Sequence, residues 1–347
     1  MAEDDDRRRA TVHDVAREAG VSLATVDRVL NGRPGVRPVT AQKVQTAIAA
    51  LDFRRDLSAS LLARSRELHL RFLIPDGSNE FMEILGAAIR RRARAAKAER
   101  LRIETVPLPP LDVAALVAEL DALTPKTCDC VVIVAVDDAA VIRAVDAAGR
   151  RGIAVMTLVS DLPNSGRQHF VGIDNVAAGR TAASMMGRFL GTGGRVAVLA
   201  GSLGLRDHAQ RLEGFRAVMS AEFPAVEIVG PFEGHDERGE TEALALDLLA
   251  RHPDLVGLYN LGAGNAGLMS ALVGTGRAGA LRVIAHELTG PTRAGLRSGA
   301  IDVVLDQNPN GEVRAAIAAA RTLAQRGAGR FDDDPIEIGI FLRDNLR

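Results

Sequence analysis

The sequence predicts a small all-α headpiece followed by an α/β region that consists of two doubly wound lobes with parallel sheets. One observation is that residues 11–31 contain two short amphipathic segments separated by a single glycine, a pattern typical of two packed helices. The other is that short apolar runs alternate with amphipathic helical segments from residue 68 onward. Such alternation is typical of parallel sheets that are covered by helices on both faces.

Length and composition favour several domains. The 347 residues are 47% hydrophobic and 25% charged, which is ordinary for globular protein but too long for one typical core. No apolar run approaches the roughly 18 residues of a membrane span, and nothing near the N-terminus resembles a signal peptide. We therefore expect a cytoplasmic protein without a membrane partner. Because Cys128 and Cys130 are the two cysteines, no disulfide framework, metal site or cofactor is expected.

The net charge of −1 hides an uneven distribution. Residues 7–66 contain twelve Arg or Lys and five Asp or Glu, which gives this segment a charge of +7, whereas the rest of the chain has −8. A basic segment beside short helices is typical of proteins that contact DNA phosphates, although a solvated charged surface has the same composition. Residues 1–10, with runs of Asp and Arg, are predicted to be a disordered leader.

The two amphipathic segments predict a helix-turn-helix. Thr11 suits a helix N-cap with Asp14 three residues later, and Gly20 permits the backbone reversal before a second N-cap, Ser22. The side chains of the first helix that are predicted to face inward are Val12, Val15, Ala16 and Ala19. Those of the second helix are Val26, Val29 and Leu30. The side chains of the second helix that are predicted to face outward are Leu23, Ala24, Asp27 and Arg28. A helix with this outward face can enter a major groove of DNA.

A third helix completes the predicted headpiece. It begins at Thr40, after a Gly- and Pro-rich turn, and places Val44, Ala47, Ile48 and Leu51 on one face. Residues 55–66 follow as a helix-prone segment that is too short to fold alone, which is typical of a hinge. The predicted organisation is a disordered leader over residues 1–10, a helix-turn-helix headpiece over 11–54, a hinge helix over 55–66 and a two-lobed ligand-binding and dimerisation domain over 67–347.

Nine apolar runs are predicted to be strands of the two lobes. They cover residues 68–74, 101–106, 131–136, 153–158, 196–200, 226–229, 255–259, 281–285 and 301–305, and the helical segments between them include 84–98, 177–190 and 207–219. Nine strands are more than a single sheet usually contains, so two lobes are expected. Because ligands bind beyond the carboxyl ends of parallel strands, the expected ligand site is the cleft between the lobes.

The headpiece resembles the lactose and galactose repressor (LacI/GalR-type) family of bacterial transcription factors. The pattern Thr-Val-x-Asp-Val-Ala-x-x-Ala-Gly-Val-Ser over residues 11–22 and Thr-Val-x-Arg-Val-Leu-Asn over 25–31 matches the signature of that family, and the match runs without a gap through the hinge. The resemblance implies that the second helix reads the major groove. It also implies that the hinge helices of two subunits pair in the minor groove and insert a leucine.

The resemblance assigns DNA contacts to the second helix. The residues at base-reading positions are Leu23, Ala24 and Arg28, and those expected to contact phosphate or cap a helix are Ser22, Thr25 and Asn31. The guanidinium of Arg28 suits O6 and N7 of guanine, and the alternative is a solvated helix residue. Asp27 stands where the family commonly has a serine.

In the hinge, Leu62 falls at the position of the inserted leucine, with Ala59 beside it. An apolar wedge of this kind kinks DNA, and the alternative is that Leu62 packs in the headpiece core. The segment Arg-Arg-Asp at residues 54–56 stands where proline followed by asparagine is usual. We therefore expect a different geometry where the chain enters the hinge.

The second region resembles the ribose-binding type of periplasmic sugar-binding protein, a periplasmic binding protein of type I. The resemblance implies a ligand site formed by Asn79, Phe81, Ser160, Asp161, Asp174, Arg211, Asn265, Glu287 and Gln307. Such carboxylate, amide and guanidinium groups suit sugar hydroxyls. The alternatives are that Asp174 only caps a helix and that Phe81 only packs. Glu287 stands where an aspartate is usual, so a ligand other than an ordinary hexose or pentose is expected.

These expectations define a ligand-responsive DNA-binding regulator, most commonly a repressor, that is not an enzyme. Its partners would be operator DNA, a sugar, polyol or sugar derivative, and a second copy of the chain in a homodimer or a tetramer. One alternative is a solute-binding protein without a regulatory role. Another is a nucleotide-binding enzyme, because Gly262, Gly264 and Gly267 follow a predicted strand with the spacing of a dinucleotide fingerprint, and Glu287 lies about 20 residues further on.

Overall fold

The computed structural model describes residues 12–30, 36–51, 67–325 and 335–346. The chain divides into two units, residues 1–66 and residues 67–347. The predicted leader over residues 1–10 and the predicted hinge helix over 55–66 lie outside the described residues. Among the helices that the structure describes, none is long and apolar enough to cross a membrane.

The described part of the first unit contains three helices, α1 (Val12–Ala19), α2 (Leu23–Leu30) and α3 (Pro38–Ala50). They pack around one small core of Val15, Ala16, Ala19, Val26, Val44 and Ala47. Gly20 has a φ of 62°, a left-handed conformation that glycine adopts without cost, and it joins the first two helices. Helix α3 begins at Pro38 rather than at the predicted Thr40, because proline is favoured at the first position of a helix.

The second unit begins with a lobe whose five-stranded sheet has the order β2-β1-β3-β4-β5, with every pair parallel. Its strands are β1 (Leu68–Pro75), β2 (Leu101–Leu108), β3 (Cys130–Ile133), β4 (Ala154–Leu158) and β5 (His169–Val171), and its helices are α4 (Glu80–Ala96), α5 (Val113–Ala122) and α6 (Ala139–Arg150). Two apolar clusters cover the two faces of this sheet. The predicted winding is therefore confirmed for this lobe.

The other lobe has a six-stranded sheet of order β11-β10-β9-β8-β6-β7, in which β11 alone among the described strands is antiparallel. The strands are β6 (Gly194–Ala200), β7 (Val226–Glu233), β8 (Leu255–Asn260), β9 (Arg282–His286), β10 (Val303–Asp306) and β11 (Gly339–Phe341). The helices are α7 (Asn175–Leu190), α8 (Arg206–Glu222), α9 (Arg238–Arg251), α10 (Asn265–Gly274) and α11 (Gly290–Ser298). Apolar clusters again cover both faces.

The chain passes to the second lobe after β5, returns to the first lobe after β10 with a helix, and then contributes β11 to the second sheet. Helix α7 follows β5 but packs in a core of the second lobe. Helix α12 (Pro309–Ala324) follows β10 and packs on the first sheet through Val313, Ala316 and Ala320. Both sheets have the same winding order, and residues at the carboxyl ends of strands in both sheets line one cleft, where functional side chains can meet.

Strands form at all nine predicted positions, and two further strands were not predicted. Strand β5 has three residues that include His169, and β11 has three residues at a sheet edge, so neither contains a full apolar run. Strand β3 ends at Ile133, before the predicted residue 136, whereas β7 continues to Glu233, beyond the predicted residue 229. Cys130 lies in β3 and Cys128 just before it, and both are buried free thiols.

Candidate functional site

A cavity of about 30 Å³ lies at the carboxyl ends of the strands of both sheets. Its lining comes from both lobes: Asn79, Phe81, Met82, Val134, Val159, Ser160, Leu205, Asp207, His208, Arg211, Asp236, Gly262, Ala263, Glu287 and Gln307. This volume holds one or two water molecules. A ligand of sugar size therefore does not fit this cavity unless its lining moves.

The guanidinium of Arg211 is the most deeply buried charge of the cavity lining, with 1% of the residue exposed. Its Nε donates to Oδ1 of Asn175 at 2.8 Å, and its Nη1 donates to the carbonyl oxygen of Leu261 at 2.8 Å. Nη1 also lies 3.7 Å from Oε1 of Glu287. These contacts hold the guanidinium in one orientation, with Nη2 left without a hydrogen-bond partner.

Two glycines position Arg211 through the contact between α7 and α8. A Cβ at Gly179 would overlap the carbonyl oxygen of Arg211, and a Cβ at Gly214 would overlap the carbonyl oxygen of Val176. The two helix backbones therefore approach more closely than any larger residue permits. This approach brings Asn175, at the start of α7, to the side chain of Arg211.

Glu287 lies directly after β9 and is 4% exposed. Its Oε1 accepts a hydrogen bond from Nε2 of Gln307 at 2.7 Å. Burial raises the pKa of Glu287 to about 8, and the nearby Arg211 only partly opposes this shift. Glu287 also has a φ of 69°, and three other residues of the cleft, Val159, Asp236 and Asn308, have φ values of 68°, 58° and 56°. Such left-handed non-glycine residues cluster at functional sites.

Three further polar residues of the second lobe complete the lining. Asp207 and His208 lie in the first turn of α8, with Oδ2 of Asp207 3.7 Å from Nε2 of His208. Asp236 follows β7 and accepts a hydrogen bond from the backbone N–H of Ala263 at 2.7 Å. Within the described ranges, the lining thus contains three carboxylates, those of Asp207, Asp236 and Glu287, and one guanidinium.

Several buried polar atoms of this cavity have no hydrogen-bond partner. Nine such side-chain atoms occur in the part of the chain that the structure describes, and four of them line the cavity: Asp207 Oδ1, Arg211 Nη2, Glu287 Oε2 and Gln307 Oε1. A buried polar group without a partner costs roughly 1–3 kcal/mol, so this concentration is typical of a site for a polar ligand. Among residues 12–30, 36–51, 67–325 and 335–346, no three His, Cys, Asp or Glu side chains are grouped to hold a metal ion.

Contacts across the cleft hold the two lobes together. The amide Nδ2 of Asn79 donates to Oδ2 of Asp236 at 3.4 Å. On the other side, the backbone N–H of Arg206 donates to Oγ of Ser160 at 3.1 Å, and its guanidinium lies 4.0 Å from the carboxylate of Asp137. Because these contacts join residues of different lobes, they must break when the cleft opens.

The structure brings together six of the nine predicted ligand residues, namely Asn79, Phe81, Ser160, Arg211, Glu287 and Gln307. Asp161 is instead bound to Arg167, with Oδ2 at 2.6 Å from Nη2, and to the hydroxyl of Thr157. Asp174 is exposed and caps α7 by accepting from the N–H of Ala177 at 2.9 Å. These two carboxylates are therefore not among the groups that face the cavity.

The ninth predicted residue, Asn265, is buried at the start of α10. Its Nδ2 donates to the carbonyl oxygen of His286 at 3.0 Å, and its Oδ1 accepts from Asn260 at 2.8 Å. It lines a second, smaller cavity that shares Phe81, Ala263 and Glu287 with the first. Asn265 thus connects the ends of β8 and β9, next to Glu287 in the chain.

The sequence reading missed Asp207, His208 and Asp236. Asp207 is four residues before Arg211 on a predicted helix, a spacing that places both on one face and could have revealed it. Asp236 gave no such signal, because β7 was predicted to end four residues early and its carboxyl end was misplaced.

The glycines that imitate a dinucleotide fingerprint have packing roles in the structure. A Cβ at Gly262 would lie 2.6 Å from the backbone nitrogen of Gly201, and a Cβ at Gly264 would overlap Thr241. A Cβ at Gly267 would overlap the carbonyl oxygen of Arg238, so this glycine permits close contact between α9 and α10. The backbone N–H of Ala263 is already bound to the carboxylate of Asp236, which would repel a phosphate there.

In the first unit, the exposed residues at the start of α2 include both polar and apolar side chains. Ser22 is exposed and its Oγ accepts a hydrogen bond from the N–H of Thr25 at 3.3 Å, so Ser22 caps α2 as predicted. Leu23 is 42% exposed, and Arg28 is also exposed. Ala24 lies in α2. The predicted DNA contacts Asn31, Ala59 and Leu62 lie outside the described residues.

The raised pKa of Glu287 predicts a pH-dependent stability. Glu287 binds a proton more tightly in the folded protein than in the unfolded chain, where its pKa has the ordinary value of 4.5. Its contribution to the free energy of unfolding is therefore complete below about pH 4.5 and is lost as pH rises through 8. We expect the melting temperature to fall between about pH 5 and 8, and to fall less in Glu287→Gln. Glu312, whose pKa burial raises well above 4.5, keeps part of the dependence in the variant. Identical slopes for both proteins in calorimetry would contradict this assignment.

The fold and the cleft define a two-lobed ligand-binding domain, and a helix-turn-helix precedes it in the chain. The chain belongs to the family described as periplasmic binding protein domain, whose family model matches residues 70–329. Residues 11–56 match the family described as bacterial regulatory proteins, lacI family. The resemblance seen in the sequence is thereby confirmed for both regions.

Known relatives match a part of the chain at the level of sequence. The chain is 46% identical to catabolite control protein A of Priestia megaterium over 79 residues, which cover 23% of this chain and 24% of that protein. It is 46% identical to the HTH-type transcriptional regulator RegA of Clostridium acetobutylicum over 72 residues, which cover 21% and 22% of the two chains. The match thus spans about a quarter of the length of these curated relatives.

Solved structures share the fold of the second unit. A solute-binding protein of Burkholderia graminis in complex with D-arabinose has a TM-score of 0.75 at 23% identity, covering 81% of this chain and 96% of that one. The glucose-galactose binding protein GanP of Geobacillus stearothermophilus has a TM-score of 0.73 at 20% identity, covering 81% and 99%. At these identities the likeness shows the fold alone.

Proposed function

We propose that the protein is a transcriptional regulator that binds operator DNA through its helix-turn-helix and responds to a small polyhydroxylated effector in the cleft. Repression is the expected outcome of DNA binding. The observation that carries the proposal is the arrangement of α2, in which fully buried Val26 anchors the helix while Leu23 and Arg28 are exposed. A helix held in this way can lie in the major groove with its outer side chains at base edges.

The contacts to DNA divide into those that specify and those that position. Arg28 has the donors for O6 and N7 of guanine, and Leu23 and Ala24 offer apolar contact, for example to a thymine methyl. Ser22, Thr25 and Asn31 are proposed to position the helix on phosphates. With one strong base-reading side chain proposed per headpiece, we infer that a homodimer binds two half-sites. The proposed insertion of Leu62, beside Ala59, adds a contribution from DNA deformation.

The effector is assigned to the cavity between the lobes. The proposed ligand residues are Asn79, Phe81, Ser160, Arg211, Glu287 and Gln307, joined by Asp207 and Asp236. Their support is the set of buried polar atoms without partners, which a ligand with several hydroxyl groups would satisfy. The sugars named for the solved neighbours, D-arabinose among them, agree with such a ligand.

Effector and DNA are coupled through the opening of the cleft in this proposal. A sugar-sized ligand does not fit a cavity of about 30 Å³, and we infer that its binding changes the separation of the lobes. The ligand then favours the state that it fits best, and the balance between states shifts by the difference in affinity. The hinge over residues 55–66 is the proposed link from the lobes to the headpiece.

Arg28→Ala is expected to weaken binding to the preferred operator by about 1–3 kcal/mol and to relax the preference at one base pair of each half-site. The physical reason is the loss of two hydrogen bonds to a single base. Fluorescence anisotropy with operator variants, at several salt concentrations, measures both effects. Arg251→Ala, an exposed arginine paired with Asp247 on α9, is the control and should bind as the wild type does.

If Arg28→Ala binds every operator variant with the same affinity as the wild type, the proposed base contact is wrong. If the wild-type protein shows no salt-dependent binding to any DNA, the proposed function itself is wrong, because phosphate contacts make such binding decrease with salt.

A further inference from the structure

Most of the cavity atoms that lack a hydrogen-bond partner are acceptors. Of the four that line it, the oxygens of Asp207, Glu287 and Gln307 can accept hydrogen bonds, whereas Nη2 of Arg211 can only donate. All four residues are at most 4% exposed. A ligand that satisfies them must therefore supply more donors than acceptors at this place.

The cavity lining also contains more acidic than basic side chains. Three carboxylates line it against the single guanidinium of Arg211, whose Nε and Nη1 are already bound to Asn175 and Leu261. A fourth carboxylate, that of Glu312 on α12, is completely buried, and both of its oxygens lack a partner. An anionic ligand would meet repulsion from those of these groups that are ionised, whereas a cation would be attracted to them and would favour the ionised form of Glu287, whose pKa is about 8 without ligand.

We propose that the ligand of the cleft is a polyhydroxylated molecule that carries a protonated amine, with the carboxylates of Asp207 and Glu287 receiving the ammonium group. An ammonium group offers three donors and one positive charge, which match the surplus of oxygen acceptors and of negative charge. The hydroxyl groups of the same molecule bind Arg211 and the amide groups. This inference rests on the proposed function, which assigns the cleft to the effector.

Ligand binding on this account is coupled to the release of a proton. In the protein without ligand, burial raises the pKa of Glu287 to about 8, so its carboxyl is largely protonated at pH 7. The groups that act on it are Arg211 and Asp207 from α8, Asp306 and Gln307 from the end of β10, and Glu312 from α12. An ammonium group beside Glu287 favours the ionised form, so affinity rises with pH up to about 8.

The test is calorimetric titration of the full chain with matched ligands that differ at one group. The probes are an aminodeoxyhexose, its N-acetyl derivative, the parent hexose and the hexuronate, each in the gluco, galacto and manno configurations. A 1-amino-1-deoxyalditol, whose amine stays protonated over the range, serves for titrations between pH 6 and 8. We expect the amine in one configuration to bind at least tenfold more tightly than its neutral counterparts, and the hexuronate to bind least.

Two variants separate the role of charge from that of shape. Glu287→Gln and Asp207→Asn keep the size of each side chain and are each expected to reduce the affinity for the amine at least tenfold. Glu213→Gln replaces an exposed carboxylate of α8 and should leave that affinity unchanged. Where a variant fails to fold, the ratio between amine and neutral probe in the wild type decides.

The outcomes distinguish this inference from the proposed function. Equal or tighter binding of the neutral hexose or of the hexuronate overturns the inference and leaves the cleft as an effector site. A requirement for Ca²⁺ or Mg²⁺ in place of the amine overturns it likewise. If no probe of any class binds to the folded protein, the assignment of the cleft to a polyhydroxylated effector fails together with the inference.

Discussion

Arg211→Ala is expected to lower the free energy of unfolding by about 3–5 kcal/mol, because it leaves a cavity and leaves the buried oxygens of Asn175 and Leu261 without their hydrogen bonds. Three contacts are lost at once: the hydrogen bonds to Asn175 and Leu261 and the approach to Glu287. The same variant is expected to lose ligand binding in the cleft. Urea unfolding and calorimetric titration measure the two effects.

Two variants control this result. Arg216→Ala removes an exposed arginine from the same helix and should cost less than about 1 kcal/mol. Arg211→Lys keeps the charge but cannot reproduce the planar pair of hydrogen bonds, so it should retain more stability than alanine without restoring binding. A stable Arg211→Ala protein with unchanged ligand affinity would show that Arg211 neither supports the fold nor faces the ligand.

Gly214→Ala is expected to destabilise the protein by about 3 kcal/mol or more, or to prevent folding, because the added methyl group overlaps backbone rather than a movable side chain. The Cβ would meet the carbonyl oxygen of Val176 and lie 3.0 Å from the backbone nitrogen of Arg180. Helices α7 and α8 would have to separate, and Asn175 would move away from Arg211. Chemical unfolding of the purified variant tests this expectation.

Gly149→Ala is the matched control, since Gly149 is an exposed glycine of α6 whose added Cβ would meet nothing within 4 Å. It should be neutral or stabilising by up to about 1 kcal/mol, because alanine favours helix. If Gly214→Ala is as stable as Gly149→Ala, then the close helix contact does not position Arg211, and our account of the site's construction is wrong.

Much of the fold could be predicted because its signals are local. Each of the nine apolar runs became a strand, and the repeated alternation with helices indicated parallel sheets before any strand order was known. The missed strands β5 and β11 are short and lie at sheet edges, where partners from elsewhere in the chain decide the pairing. No local pattern of three residues specifies such a pairing.

The position of a site residue could be predicted from strand ends where its side chain follows a strand that the sequence reveals, whereas Arg211 in α8 was predicted from the resemblance alone. Glu287 and Gln307 lie just after β9 and β10, and Ser160 lies two residues after β4, so their place at the cleft follows from the strands themselves. Asp161 is next to Ser160 in the chain, yet its carboxylate is bound by Arg167. Asp236 is separated from its strand by a loop. A motif indicates which segment of the chain lies near the site, whereas tertiary contacts decide which group each side chain binds.

On this proposal, one protein couples its affinity for DNA to occupation of the cleft. The most direct measurement is fluorescence anisotropy of the full chain on an operator chosen by selection from random DNA, with and without a ligand that calorimetry has shown to bind. We predict a change of at least tenfold in operator affinity for the wild type and no change for Arg211→Lys at the same ligand concentration. An operator affinity that stays the same when the wild-type cleft is saturated with ligand would contradict the account.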